Sequence, residues 1–146
     1  MPVKEPVVAA VATLVFSENR LLLGKRVREQ VFRGWQCPGG FLQRGESVEA
    51  AARRYCLEKA GVEIKEIRVG PYTNNIADDD PGGAPLMRHT ATLYQIAQLQ
   101  RVKNAEKFED QTIVWSWFDL QALPVPQFLP LKLLLEQYNL RQLAGI

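Results

Sequence analysis

The sequence predicts an α+β fold in which a mixed β-sheet is flanked by helices. Two observations carry the prediction: extended, β-branched runs both precede and follow one well-capped helical block at 47–61, and an amphipathic block from Gln127 to Leu140 closes the chain. A succession of strands, helix, strands and helix is the pattern of a sheet with helices packed on it. No linker, repeat or low-complexity stretch divides the 146 residues, so residues 1–146 are expected to form one domain.

Pro6–Phe16 and Arg20–Arg26 read as two strands of a hairpin, because Val7, Val8, Val11, Thr13 and Val15 favour extended backbone and Ser17-Glu18-Asn19 is a polar turn. Residues 27–34 read as a basic loop. Trp35-Gln36-Cys37 is a short extended piece ended by the turn Pro38-Gly39-Gly40. The helix follows: Ser47 is the N-cap, Glu46 and Glu49 suit the positive end of the dipole, and Gly61 is placed to end it. Val48, Ala51, Ala52, Tyr55 and Cys56 form its apolar stripe. Val62–Asn75 and Arg88–Gln98 read as extended, with loops at 76–86 and 101–110. Thr112–Phe118 alternates as a strand, with Trp115 and Trp117 expected to fill the core under the closing helix.

Composition excludes several classes. At 47% hydrophobic and 23% charged, the chain is neither disordered nor fibrous. The net charge is +2, and no basic run exceeds two residues, which argues against a dedicated nucleic-acid binder. Cys37 and Cys56 lack CxxC spacing, and His89 is the single histidine, so no zinc site is expected. Both thiols are expected to be reduced and cytosolic. The apolar run at 6–16 is too short to span a membrane, and no small-residue cleavage site follows it.

The chemistry concentrates in 40–62, GFLQRGESVEAAARRYCLEKAGV. A glycine turn feeding a helix N-terminus presents backbone N–H groups and partial positive charge, which suits phosphate. Glu46, Arg54 and Glu58 follow, with Arg54 and Glu58 four apart on one helix face. Carboxylates beside such a turn suit a hard cation such as Mg²⁺.

With Gly40, Glu46, Arg54, Glu58, Gly61 and Val62 at matching spacings, this segment resembles the box of the Nudix (MutT-like) hydrolases, which act on nucleoside diphosphates linked to another group. Trp35–Gly40, Leu23–Arg26, and Trp117-Phe118 before Leu123-Pro124 extend the resemblance over nearly the whole chain. It implies an α/β/α sandwich and a Mg²⁺- or Mn²⁺-dependent pyrophosphohydrolase. By resemblance Glu58 is a catalytic metal ligand, Glu46 assists, Arg54 orients Glu58, and a backbone carbonyl near Gly39 or Gly40 and Glu109 from a later loop complete the metal set. The expected partner is a nucleotide or nucleoside diphosphate derivative, with no nucleic acid or membrane, in a monomer or homodimer.

The box departs from the family where metal is held. Tyr55 and Lys59 stand where the family has glutamates, which moves the formal charge of those two positions and Glu58 from −3 to 0. Weak metal binding is the expected result. Two functional readings follow: a hydrolase of reduced activity, or an impaired module that binds a nucleotide or other phosphorylated ligand. Lys59 either meets phosphate directly or points to solvent at the helix end. Trp35 either stacks on a base or packs beside the turn. Arg26, with Arg28 and Arg33, either meets phosphate or is solvated. Tyr72 and Asn74 either contact a base or serve the core. His89 reads as a hydrogen-bonding residue, Asp78–Asp80 as a solvated turn tip, and Glu106 and Asp110 as further carboxylates near Glu109.

Overall fold

Alternation along Val8–Ser17 decides how the domain is layered. In the computed structural model, which describes residues 6–28, 30–76, 88–104 and 114–146, this strand β1 sends Val11 and Val15 to one core and Leu14 and Phe16 to another. Successive side chains of a strand point to opposite faces, so one buried strand serves two helix layers. The helix α1 (Val48–Ala60) covers the first core with Ala51, Ala52, Tyr55, Cys56 and Ala60. The helices α2 (Leu129–Gln137) and α3 (Leu140–Ala144) cover the second with Leu131, Leu134 and Leu140. The result is helix, sheet, helix.

The remaining strands are β2 (Arg20–Arg28), β3 (Val31–Gln36), β4 (Gly39–Phe41), β5 (Val62–Asn75), β6 (Thr90–Val102) and β7 (Trp115–Asp119). The sheet order is β3-β2-β1-β6-β5, with β4 on β1 and β7 on β2. The β1–β6 pairing is parallel and the others are antiparallel, so the sheet is mixed as expected. β1 divides its second edge: Phe16 and Ser17 pair with β2, whereas Ala10–Ala12 pair with β4.

The ends of α1 are set locally. Ser47 Oγ accepts from Ala50 N at 3.1 Å, and Gly61 closes the helix at φ 68°. Ala51, Ala52 and Ala60 are fully buried, and their small volume lets the helix lie close on the sheet.

Several expectations are corrected. Residues 27–34 are not a loop: Val27, Arg28, Val31 and Phe32 continue a β2–β3 ladder. β-branched and aromatic residues outweigh the polarity of the arginines there. Pro38-Gly39-Gly40 is not a plain turn, since Gly39 and Gly40 belong to β4. A Cβ on Gly39 would lie 2.3 Å from the Val11 carbonyl oxygen, so glycine is what allows the two backbones to pair. β6 continues to Val102, which pairs with Val62, rather than ending at Gln98. The closing helix breaks at Tyr138 (φ −131°), where Asn139 caps α3 by accepting from Gln142 N at 3.1 Å. Trp115 and Trp117 pack in the α1 core, not under the closing helices. Glu106, Glu109, Asp110 and Asp78–Asp80 lie outside the described residues.

Among the described residues no helix is long and apolar enough to cross a membrane. Cys37 and Cys56 are both free and buried. Burial pushes the Cys56 thiol up to about 12 and the Cys37 thiol higher still, so neither is a thiolate at neutral pH.

Candidate functional site

The loop before α1 and the helix itself place the charged residues of the box. Glu46 Oε1 accepts from Gln43 N at 3.0 Å, which fixes its carboxylate beside the helix start. Arg54, two turns along, meets it with both prongs: Nε to Oε2 at 3.1 Å and Nη2 to Oε1 at 2.7 Å. This bidentate geometry is the strong form of an arginine–carboxylate pair. It holds the Glu46 carboxyl below its usual range, the Arg54 hydrogen bonds being the largest cause. Arg54 Nη1 reaches Glu58 only at 3.5 Å, and the Glu58 side chain is 58% exposed. Arg54 is therefore committed to Glu46 more than to Glu58.

The next residue, and the one a turn beyond it, face β4. Tyr55 is buried, and its hydroxyl donates to the Phe41 carbonyl at 2.6 Å. A Cβ on Gly40 would lie 2.4 Å from a carbon of its ring, so no larger residue fits at 40 beside Tyr55. Lys59 Nζ donates to the Gly39 carbonyl at 2.5 Å and lies 5.0 Å from the Tyr55 ring centroid. Burial pulls the Lys59 ammonium below its usual value, and the neighbouring charge of Arg26 adds to this.

Tyr55 and Lys59 form one wall of a cleft of about 510 Å³, a size suited to a small-molecule ligand. Gly39, Gly40 and Phe41 of β4 and residues 10–12 of β1 form its floor. Thr90, Thr92 and Tyr94 of β6, with Arg88, form the opposite wall, and Arg26, Gln36, Phe128 and Leu131 close it. Arg26 Nη1 donates to Gln36 Oε1 at 3.0 Å, and its guanidinium lies 4.4 Å from the Phe128 ring centroid. Three cations line this cleft, namely Arg26, Lys59 and Arg88, and no carboxylate does among the described residues.

The structure thus gathers Arg26, Gly39, Gly40 and Lys59 on the cleft. Glu46, Arg54 and Glu58 lie outside its lining, and so does Trp35. Trp35 packs edge-on against Phe118, with centroids 4.8 Å apart. Tyr72 and Asn74 point away from the cleft: Tyr72 is 65% exposed, and Asn74 Oδ1 pairs with His89 Nε2 at 2.5 Å. The neighbouring Asn75 is the inward residue. Its buried Nδ2 donates to Thr90 Oγ1 at 2.9 Å and to Thr92 Oγ1 at 2.8 Å. With their oxygens accepting from Asn75, both threonine hydroxyls direct their own protons elsewhere. Sequence reasoning missed Arg88, Thr90, Thr92 and Phe128. The alternation Thr90-x-Thr92-x-Tyr94 was the available signal, a polar strand face where a core face would be apolar.

Among the described residues, the box offers a divalent ion few free oxygens. Mg²⁺ needs several free oxygen ligands. Both Glu46 oxygens are held by Arg54 and the Gly39 carbonyl is held by the Lys59 ammonium, which leaves the exposed Glu58, 3.5 Å from Arg54, as the one box carboxylate not fully engaged. No group of three or more His, Cys, Asp or Glu that could hold a metal exists among the described residues.

Comparison with known proteins gives the lineage. The NUDIX domain family matches residues 6–140. The chain is 31% identical over 117 residues to an oxidized purine nucleoside triphosphate hydrolase of Danio rerio, covering 78% of this chain and 67% of that protein. It is 32% identical over 118 residues to an ADP-ribose pyrophosphatase of Methanocaldococcus jannaschii, covering 79% of this chain and 63% of that protein. The fold is shared with a MutT NUDIX hydrolase from Burkholderia pseudomallei, with a TM-score of 0.73 at 24% identity over 92% of this chain and 100% of that one.

Proposed function

The chain belongs to the Nudix hydrolase superfamily, and from that premise we propose that it is a pyrophosphohydrolase binding a nucleoside di- or triphosphate derivative in the cleft between α1, β4 and β6. One observation carries the reading: Arg26, Lys59 and Arg88 converge on a cleft that has no lining carboxylate among the described residues. That arrangement selects a polyanion. Phe41 and Phe128 on the same cleft offer flat apolar surface for a base. The relatives' names, a nucleoside triphosphate hydrolase and an ADP-ribose pyrophosphatase, agree with this ligand class.

The reaction is attack of water on phosphorus. A new P–O bond forms to the water oxygen, the bridging P–O bond breaks, and the water proton leaves to solvent. Lys59 and Arg26 bind and neutralise phosphate oxygens, which favours the charge that develops on the departing group. Gly39 and Gly40 keep the floor free of side chains. Glu46 and Arg54 position the loop and helix rather than touch ligand.

A second reading, a nucleotide-binding module without turnover, is favoured by the Lys59 contact to the Gly39 carbonyl, which takes up an oxygen of the box. Release of phosphate, pyrophosphate, mononucleotide or sugar phosphate from a panel of nucleotides and nucleoside diphosphate sugars, with Mg²⁺ and with Mn²⁺, separates the two. Release above the no-enzyme rate supports the hydrolase. Saturable binding with no release supports the module, and neither binding nor release overturns both.

A further inference from the structure

We propose that the Lys59 ammonium takes the place of a divalent cation in this cleft, so that a pyrophosphate group binds without metal. The inference rests on the reading of the cleft as a nucleotide site and goes beyond it by assigning the metal's part in phosphate binding to a side chain.

The argument begins with donors. An ammonium has three N–H groups on a compact charge. The Gly39 carbonyl takes one of them at 2.5 Å, which fixes the head over the cleft floor. No carboxylate forms a salt bridge with Lys59 among the described residues. Two of its donors are therefore available to a ligand anion. The Tyr55 ring, 5.0 Å away and itself fixed by its bond to the Phe41 carbonyl, walls the ammonium on the helix side. Arg26 lies on the same cleft, and its charge acts on Lys59. Both cations line one cleft that has no carboxylate in its lining among the described residues, so a polyanion bridging them gains from both charges.

A free metal ion meets the opposite situation. It would have to displace an ammonium from its carbonyl and enter a cleft whose charged lining is wholly positive among the described residues. The cation is built into the chain, and the ordering cost of recruiting one is already met.

Calorimetric titration with inorganic pyrophosphate and with ADP tests this, in EDTA and in excess Mg²⁺, on the wild type, Lys59→Gln and Lys59→Arg. The expected result is binding in EDTA that Mg²⁺ does not tighten. Lys59→Gln should lose about tenfold or more in affinity. Lys59→Arg should retain most of it, because the positive charge remains. Binding that appears only with Mg²⁺ overturns the proposal and leaves the nucleotide reading standing. Binding in neither condition overturns both. A loss of less than about twofold in Lys59→Gln overturns the role of the ammonium. If Lys59→Gln fails to fold, the EDTA arm on wild type and the Lys59→Arg variant still decide.

Discussion

The two corners of the box use their cations in opposite ways. Near the helix start, Arg54 grips the Glu46 carboxylate through two parallel hydrogen bonds, and charge is cancelled. Near the helix end, Lys59 grips a neutral backbone carbonyl, and charge is kept. The first corner therefore organises structure, and the second holds unspent charge at a cleft. Scaffold and chemistry are separable in this loop–helix unit: Gly40, Glu46, Arg54 and Gly61 stand at the family spacing while Tyr55 and Lys59 alter what the unit offers a ligand.

The sharpest way to break the contrast is to reverse the second corner. Tyr55→Glu with Lys59→Glu returns two carboxylates to the family positions and releases the Gly39 carbonyl. Mg²⁺-dependent release of cleavage products should rise by about a hundredfold over wild type, the scale of a metal's contribution to charge stabilisation. Unchanged release in a folded double variant would show that the two replacements are not what sets the metal dependence.

The second corner also rests on a tight backbone approach that the first lacks. Gly39→Ala puts a methyl 2.3 Å from the Val11 carbonyl oxygen inside a paired strand. It should cost about 3 kcal/mol in urea unfolding. Gly45→Ala, in the loop beside Glu46, meets no atom within 4 Å and carries only the strain of φ +84°. It should cost about 1 kcal/mol. Equal losses would mean that β4 can shift to make room.

The smallest expected effect is at the first corner and depends on pH. The Glu46 carboxyl is held below its ordinary value, chiefly by Arg54. A group depressed in the folded state stabilises above its unfolded value and loses that contribution as pH falls through the folded one. Wild type should therefore melt slightly above Glu46→Gln at pH 7, with a gap that closes in acid. A gap that widens in acid would contradict the pairing.

How far these corners were legible in the sequence follows the range of the forces involved. The helix of 48–60 was readable because its cap, its dipole charges and its ending glycine act within a few residues. The Arg54–Glu46 pair was half readable: the spacing pointed Arg54 at Glu58, whereas the Gln43 backbone fixes Glu46 as the better partner. The Lys59–Gly39 contact spans 20 residues and depends on β4 pairing with β1, which no local pattern specifies. The same holds for the opposite wall, where Asn75 and Thr92 meet only because β5 and β6 are neighbours. The loop expected at 27–34 failed for a simpler reason: arginines on an exposed hairpin look like a loop until their β-branched neighbours are weighed.

The most direct measurement is a titration of Mn²⁺ followed by its electron paramagnetic resonance signal, on wild type, Lys59→Glu and Glu58→Gln without nucleotide. With the ammonium in the cation's place, wild type should leave Mn²⁺ free at millimolar concentration and match Glu58→Gln, while Lys59→Glu should bind it. Tight Mn²⁺ binding by wild type that Glu58→Gln abolishes would contradict the account.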